Sequence, residues 1–300
     1  MKKKLLTTFV WLVLSAVPFS MVNADNKLYG NLHIFAGKVQ DVSGINVNSY
    51  ASSLGLKGKN NVNGKWLLSH QLEIELNTFN EGDSSEEDAV LRNAWLGLKT
   101  NVGEFRVGRH VSIYDIVDDG QELLSKAGHV FPSAREEIDQ LLYVNKVGLM
   151  AYSIAFEPFE NDAKDRVVSG LLNYADGPYY AGLGVEKSSG LSVGSKLSLG
   201  YNQNDKYELG LTYDKQLGSG ATSLTATGIY RFGKMYVGAE LGKVLSGDQL
   251  DQDHAISFTE GAKNKALELG YEWDKDTKFY IDYSNLGDGK ETSFAVKYDF

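Results

Sequence analysis

A strongly acidic stretch of the chain lies in residues 111–139. This stretch holds only two cationic side chains, Lys126 and Arg135, against seven carboxylates. The seven acids are Asp115, Asp118, Asp119, Glu122, Glu136, Glu137 and Asp139. Carboxylates at a narrow passage favour cations and raise the electrostatic cost for anions, whereas carboxylates on an open loop are simply solvated. The effect of these carboxylates therefore depends on the strands and loops that position them.

Two shorter patterns could do other chemistry, but neither has the context that it requires. Residues 190–194 read GLSVG, the pattern of a nucleophile elbow, which needs a preceding strand, a following helix and an α/β sheet. Asp248, Asp251 and Asp253 could gather a divalent ion, but the glycine and terminal glutamate of a calcium loop are missing. We predict no catalytic residue, no metal site and, without a phosphate-binding glycine loop, no cofactor.

The elements around these residues show the two-residue period of β-strands. Near the C-terminus, Leu267, Leu269, Tyr271 and Trp273 alternate with Glu268, Gly270 and Glu272. In the last ten residues one face carries Thr292, Phe294, Val296, Tyr298 and Phe300. Helical i, i+3, i+4 spacing is nearly missing. One face of each strand is apolar and the other polar, as in a soluble sandwich or a membrane barrel.

The number and length of the strands favour the barrel. Segments of about ten residues, the length that a tilted strand needs to cross a bilayer, recur along the chain. Sixteen are predicted, at 27–37, 49–59, 64–78, 90–100, 103–110, 136–146, 148–157, 167–175, 178–187, 195–202, 206–214, 221–230, 234–244, 263–273, 276–285 and 291–300. Their connections alternate between short polar turns, such as NKVG and DKDT, and longer segments. An even-numbered outer-membrane barrel with short periplasmic turns has this asymmetry.

The N-terminus and the charge indicate export. Three lysines precede an uncharged run from Leu5 to Phe19, and Val22-Asn23-Ala24 resembles a signal cleavage site. We predict a signal peptide at residues 1–24 and a barrel domain at 25–300. The mature 276 residues would carry 27 basic and 39 acidic side chains, a net charge of −12, which argues against nucleic acid as a partner. There is no cysteine, so no disulfide supports the fold.

Several segments together resemble the trimeric general porins of the Gram-negative outer membrane. KLYGNLHIF is similar to the opening strand of that family, and SSLGLKGK with its Asn/Gly turn is similar to the second hairpin. RNAWLGLKTNVGEFRVGRH is similar to strands four and five. The ending VKYDF, with Tyr298 and Phe300, is similar to the C-terminal strand that the barrel-assembly machinery reads.

The resemblance implies a homotrimer of 16-stranded barrels, each with a water-filled pore that the third outer loop narrows. The matching loop runs from about Val111 to Ala134 and carries Asp115, Asp118, Asp119 and Glu122. By matching position, Arg92, Arg109 and Arg135 would be arginines of the pore wall, and Arg106 joins them because it shares the polar parity of its strand. Ser52 and Ser53 stand where some relatives carry a further wall arginine. Fewer wall cations with the same acids would tilt the lumen towards cations.

The sequence therefore predicts an outer-membrane channel for passive diffusion of small hydrophilic solutes and ions, with a weak preference for cations. Outer-membrane lipid and lipopolysaccharide would surround it. Three alternatives stay open: a substrate-selective porin, an outer-membrane barrel enzyme of the lipase or esterase type, and an adhesin or structural anchor. The enzyme would need a serine and a histidine close together near the outer rim, and the five histidines show no such pairing.

Overall fold

Most of the predicted strands lie within the part of the chain that the structure describes. The computed structural model describes residues 25–39, 44–49, 51–62, 64–76, 89–117, 124, 137–158, 166–188, 190–203, 206–250, 257–286 and 289–300. The predicted signal peptide lies outside these residues. So do four of the predicted site residues, Asp118, Asp119, Glu122 and Arg135.

Sixteen long strands pair antiparallel in chain order, and the first also pairs with the last, which confirms the predicted all-β closed barrel. The strands are β1 Asp25–Val39, β2 Ser52–Val62, β3 Trp66–Leu76, β4 Ala89–Thr100, β5 Gly103–Val111, β6 Glu137–Val147, β7 Met150–Phe156, β8 Val167–Asp176, β9 Tyr179–Ser188, β10 Gly194–Gln203, β11 Tyr207–Lys215, β12 Thr222–Phe232, β13 Met235–Ser246, β14 Lys263–Glu272, β15 Thr277–Leu286 and β16 Gly289–Asp299. Short strands at Asn46–Ser49, Gln249–Leu250 and Ser257–Phe258 lie in the connections.

Side-chain alternation separates an apolar outer face from a polar inner face. On β13 and β14, Leu241 and Leu267 are 58% and 54% exposed, whereas Glu240 and Glu268 are 1% exposed. Successive side chains of a strand point to opposite faces of its sheet, so these carboxylates lie inside the closed barrel. Among the described residues, no helix is long and apolar enough to cross a membrane.

The barrel closes at the terminal phenylalanine. The Gly30 amide donates to the Phe300 carbonyl oxygen at 3.1 Å, and the Phe300 amide donates to the Gly30 oxygen at 3.0 Å. A Cβ atom at Gly30 would lie 2.6 Å from Cζ of the Phe300 ring and 2.5 Å from the Ser53 oxygen. Only glycine therefore allows the last ring to lie across the first strand. The seam leaves no open sheet edge.

The two ends of the barrel differ as predicted. Two residues each join β4 to β5, β6 to β7, β8 to β9 and β12 to β13 at the end that holds the chain termini. In the β14–β15 turn at this end, the Asp276 amide donates to the Asp274 carboxylate at 2.9 Å, which lowers the pKa of Asp274. The longest connection at the other end joins β5 to β6. One loop there is shorter than expected, since two residues separate β15 from β16.

The predicted second strand, 49–59, is interrupted. Ala51 has a φ of 48°, in the left-handed region that strands avoid, and it separates the short strand Asn46–Ser49 from β2. At this break in the strand pairing, Ser52 Oγ accepts a hydrogen bond from the His33 amide at 2.9 Å. The same hydroxyl donates to the His33 carbonyl at 3.3 Å. A serine side chain here replaces a backbone partner of β1.

The connection after β5 turns against the inner face of the wall. Ile113 and Val117 pack with inward side chains of three strands, Leu142 of β6, Ala155 of β7 and Leu171 of β8. Seven residues beyond Val117, Leu124 packs with inward residues of β12, β13 and β14, namely Ile229, Tyr236 and Ala266. The described parts of this connection thus contact the wall in two separate places inside the barrel.

Candidate functional site

The inner face of the barrel has a covered part and an accessible part. Among the described residues, seven charged side chains other than histidine are buried, and all lie between the end of β7 and β15. They are Glu157, Glu186, Lys196, Asp214, Glu240, Glu268 and Asp282. Inward charged side chains of β1–β5, other than the histidines, remain half-buried or exposed. We call this second part the open arc; its main residues are Tyr29, Lys57, Gln71, Glu73, Trp95 and Arg106.

Aromatic and polar contacts hold the inner segment to the covered part. The Tyr114 hydroxyl donates to Asp214 Oδ1 at 2.5 Å, and Lys196 Nζ lies 5.0 Å from the Tyr114 ring centroid. On β9, the Tyr180 hydroxyl donates to the Val117 oxygen at 2.7 Å. Asp115, one of the predicted loop acids, begins the 3-10 turn Asp115–Val117, which lies between these two anchors. Its position is therefore fixed on both sides, inside the barrel.

A β-bulge accounts for the position of Arg92. In the β3–β4 register, Ile74 pairs with Leu91 and Glu73 pairs with Asn93, so Arg92 is the extra residue. Its Nη1 lies 3.1 Å from Glu75 Oε2, and both side chains are 23% exposed. A bulge re-aims a side chain that strict alternation would point to the other face. Here it brings the arginine to the inward carboxylate of β3.

Arg106 lies on the open arc with its charge offset by a carboxylate. Its Nε and Nη2 donate to the two Glu104 oxygens, each at 3.0 Å. The guanidinium carbon lies 4.3 Å from the Trp95 ring centroid. The Trp95 ring also stacks on His110 with centroids 5.3 Å apart. This bidentate geometry and the aromatic contact fix the guanidinium in one orientation.

Arg109 lies on the other face of β5. It shares the parity of Phe105 and Val107, which are 50% and 45% exposed on the outer surface. Its cross-strand partners in the register are Ala94 and Asp139. The structure therefore brings Arg92 and Arg106 to the inner face and places Arg109 outside, against its assignment to the pore wall. Positions 106 and 109 are three residues apart, and an odd separation in a strand places two side chains on opposite faces. The sequence therefore already contained the signal that Arg106 and Arg109 face different sides.

Two inward clusters were missed from the sequence. Arg231 of β12 pairs with Glu208 of β11, and its Nε lies 3.4 Å from Glu272 Oε1. On the open arc, Tyr29, Gln71 and Asn93 all donate to one oxygen of Glu73. Both sets have the polar parity of their strands, so alternation could have proposed them. Their pairing depended on the cross-strand register.

The electrostatic balance of the inner face is acidic where it is covered. Each of the three inward arginines, Arg92, Arg106 and Arg231, is paired with at least one glutamate. The buried charged groups are six carboxylates and one lysine. Paired arginines add little net positive potential. Among the described residues, buried carboxylates therefore outnumber buried ammonium groups on the covered wall.

Of the two motifs set aside from the sequence, the GLSVG pattern lies within the described chain, whereas most of the acidic group does not. No group there of three or more histidine or acidic side chains could hold a metal ion. Asp248 is exposed, and Asp251 and Asp253 lie outside the described residues. Ser192 of the GLSVG pattern lies between strands β9 and β10, and its hydroxyl donates to the Gly218 oxygen at 3.1 Å. A strand stands where a nucleophile elbow requires a helix.

Comparison with known proteins agrees with this geometry. A family model described as Gram-negative porin matches residues 11–300. The fold is similar to that of Salmonella typhi OmpF in complex with daunomycin, at a TM-score of 0.75 and 16% identity over 92% of this chain and 97% of that chain. No curated protein matches the chain.

Two further solved structures are similar. The trimer form of OmpT, an outer membrane protein of Vibrio cholerae, has a TM-score of 0.67 and 17% identity over 93% of this chain and 100% of that chain. A triple mutant of the Rhodopseudomonas blastica porin has a TM-score of 0.71 and 13% identity over 92% and 100% of the two chains. At such identities the similarity shows the shared fold.

Proposed function

We propose, since the chain belongs to the Gram-negative porin family, that it forms a water-filled channel through which small hydrophilic solutes and ions diffuse across the outer membrane. The observation that carries the proposal is a closed 16-stranded barrel whose inner face keeps an accessible, charged arc, while a segment packs on other strands of the wall. Sixteen strands enclose more space than side chains fill. Solutes then move down their gradients without a step that requires tight binding.

The third outer loop is proposed to narrow this channel. Support comes from the contacts of Ile113, Val117 and Leu124 with inward residues of two separate groups of strands. Asp118, Asp119 and Glu122 stand between these anchors in the chain. Arg135, just before β6, stays a candidate for the facing wall. The narrowest passage would lie between the loop acids and the open arc.

A weak preference for cations follows from these charges. The loop acids and the pairing of the inward arginines both favour cations in the lumen. The double variant Asp118→Asn/Asp119→Asn should shift the reversal potential in a KCl gradient towards anions. Asp274→Asn/Asp276→Asn removes the same charge from a turn and serves as the control. An unchanged reversal potential in the first variant would remove these two acids from the constriction.

The first measurement is single-channel conductance of the purified mature protein in a planar bilayer. Stable conductance that closes in three steps is expected for an open trimer, and its reversal potential gives the sign of the selectivity. Folded, inserted protein that carried no current would contradict the channel and return attention to the anchor and enzyme alternatives. Esterase turnover by the purified barrel would favour the enzyme.

Assembly and location belong to the same proposal. Residues 1–24 would direct export and be removed, leaving the barrel domain at residues 25–300 in the outer membrane among lipid and lipopolysaccharide. The exposed outward rings of Tyr298 and Phe300 would be read by the barrel-assembly machinery. A homotrimer is supported by the similarity to a structure described as the trimer form of OmpT.

A further inference from the structure

One carboxylate of the open arc is held differently from its neighbours. Glu73 lies in the middle of β3, opposite Gly55 of β2 and Asn93 of β4. Two residues further along the same face, Glu75 pairs with Arg92. On β5, both oxygens of Glu104 accept from Arg106. Glu73 instead receives its hydrogen bonds from uncharged donors, so its negative charge is not offset by a guanidinium.

All of the hydrogen bonds to Glu73 converge on one oxygen. The Tyr29 hydroxyl donates to Oε2 at 2.6 Å, Gln71 Nε2 donates at 3.1 Å and Asn93 Nδ2 donates at 3.3 Å. Gln71 Nε2 also donates to the Tyr29 hydroxyl at 2.7 Å. The Tyr29 ring lies directly over Gly55, where a Cβ atom would come within 2.3 Å of the ring. The carboxylate is therefore fixed before any solute arrives.

The second oxygen faces the accessible lumen. Within the described chain, Oε1 of Glu73 accepts no hydrogen bond, and it is not among the buried polar atoms that lack a partner. It is therefore open to water. A fixed carboxylate oxygen that faces solvent is a ready acceptor for a charged N–H donor, because no reorganisation is needed to meet it.

Lys57 shows that an ammonium group fits at this place. Its Nζ lies 4.5 Å from the Tyr29 ring centroid, on the aromatic ring that also holds Glu73. An ammonium over an aromatic face is stabilised by the ring quadrupole. The lysine is exposed, and no ion pair joins it to Glu73 within the described residues. Its ammonium is a tethered competitor for a cationic solute.

We propose that Glu73, positioned by Tyr29, Gln71 and Asn93, is a binding station for primary ammonium groups of solutes that cross the channel. The solute's N–H groups donate to Oε1, and its positive charge lies beside the Tyr29 ring in place of Lys57. This inference rests on the proposed channel function. It names primary alkylammonium compounds as a favoured class within the general preference for cations.

The test compares two blocking cations in single-channel recordings. In the wild-type channel, n-butylammonium should bind more tightly than tetramethylammonium, which has no N–H to donate. Glu73→Gln should weaken n-butylammonium block by about tenfold or more, the loss of one charge-assisted hydrogen bond, and should abolish the difference between the cations. Tyr29→Phe, with no change in charge, should weaken it about threefold, since one donor that orients the carboxylate is lost.

Two further variants separate a local site from general electrostatics. Glu75→Gln removes the same charge two residues away and should leave the ratio of the two blocking constants unchanged. Lys57→Gln should strengthen n-butylammonium block, because the tethered competitor is gone. An unchanged ratio in a conducting, heat-modifiable Glu73→Gln barrel would overturn the inference, as would an equal loss in Glu75→Gln. A wild-type protein without conductance would instead overturn the proposed function.

Discussion

At the residue scale, the inward arginines among the described residues are paired with glutamates. Arg92 and Arg106 each lie on a glutamate, and Arg231 contacts two. A guanidinium that is paired inside a water-filled lumen contributes a local dipole more than a net charge. The unpaired contribution then comes from carboxylates that have neutral donors, as at Glu73.

One measurement can show which of Arg92 and Arg109 lies on the inner face of the barrel. Arg92→Gln leaves Glu75 without its cation in the lumen, so the K⁺/Cl⁻ permeability ratio should rise about twofold, roughly 0.4 kcal/mol for one screened charge. Arg109→Gln removes the same charge from the outer face and should leave the ratio unchanged. Reversal potentials of both channels check this. Equal shifts would place Arg109 beside the pore.

At the element scale, glycine and the terminal ring decide how the first and last strands meet. The Phe300 ring lies across Gly30, and the two residues exchange backbone hydrogen bonds. Stacking of Tyr298 on Phe300, with centroids 6.0 Å apart, continues the outward aromatic face of β16. The seam therefore depends on one small residue and one large residue.

A methyl group at the seam should interfere with closure. In Gly30→Ala the new Cβ would lie 2.5 Å from the Ser53 backbone oxygen, so strand β1 must shift. We expect a clearly lower yield of heat-modifiable folded barrel. Gly170→Ala on the outer face of β8 is the control, because its Cβ meets only Val185 Cγ2 at 3.6 Å. Equal yields of the two variants would show that the seam tolerates a side chain.

Loss of the last residue tests the same seam from the other strand. Deletion of Phe300 removes the ring over Gly30 and the pair of backbone hydrogen bonds that the two residues exchange. Poor assembly and little protein in the outer-membrane fraction are expected. The amount of folded barrel is measured by the gel mobility of heated and unheated membrane samples. Wild-type amounts of folded barrel would make the terminal ring incidental to assembly.

At the scale of the whole molecule, the inner face of the closed sheet consists of a covered part, which the described parts of the β5–β6 connection contact, and the open arc. Six carboxylates are buried on the covered side, whereas the open arc keeps half-buried polar side chains in contact with the passage. Charges that line a low-dielectric wall act over about one Debye length. The selectivity of such a passage must therefore depend on salt.

Ionic strength should change the selectivity in a predictable direction. The Debye length is about 10 Å at 0.1 M salt and about 3 Å at 1 M, so wall and loop charges reach the permeating ion only in dilute salt. The K⁺/Cl⁻ permeability ratio should be higher in gradients centred on 0.1 M KCl than on 1 M. A permeability ratio independent of salt would show that the cation preference arises from direct contact with the ion and not from the long-range field of the wall and loop charges.

The sixteen strands could be predicted because strand period and turn composition are local. Alternation also gives the face of Arg106 and, since 109 differs from 106 by an odd number, the opposite face for Arg109. The break at Ala51 was not predictable in this way. Its conformation is maintained by Ser52, which bonds to the backbone of a different strand.

The sequence by itself determined the closed all-β architecture, the alternation of apolar and polar faces, and the acidic character of the chain, since each follows from neighbouring residues and composition. Only the tertiary structure decided which charges meet. The bulge at Arg92 reverses the face that alternation would give it, and the register brings it to Glu75. Tyr29 and Glu73 are 44 residues apart in the chain, and they meet because β1 and β3 both pair with β2.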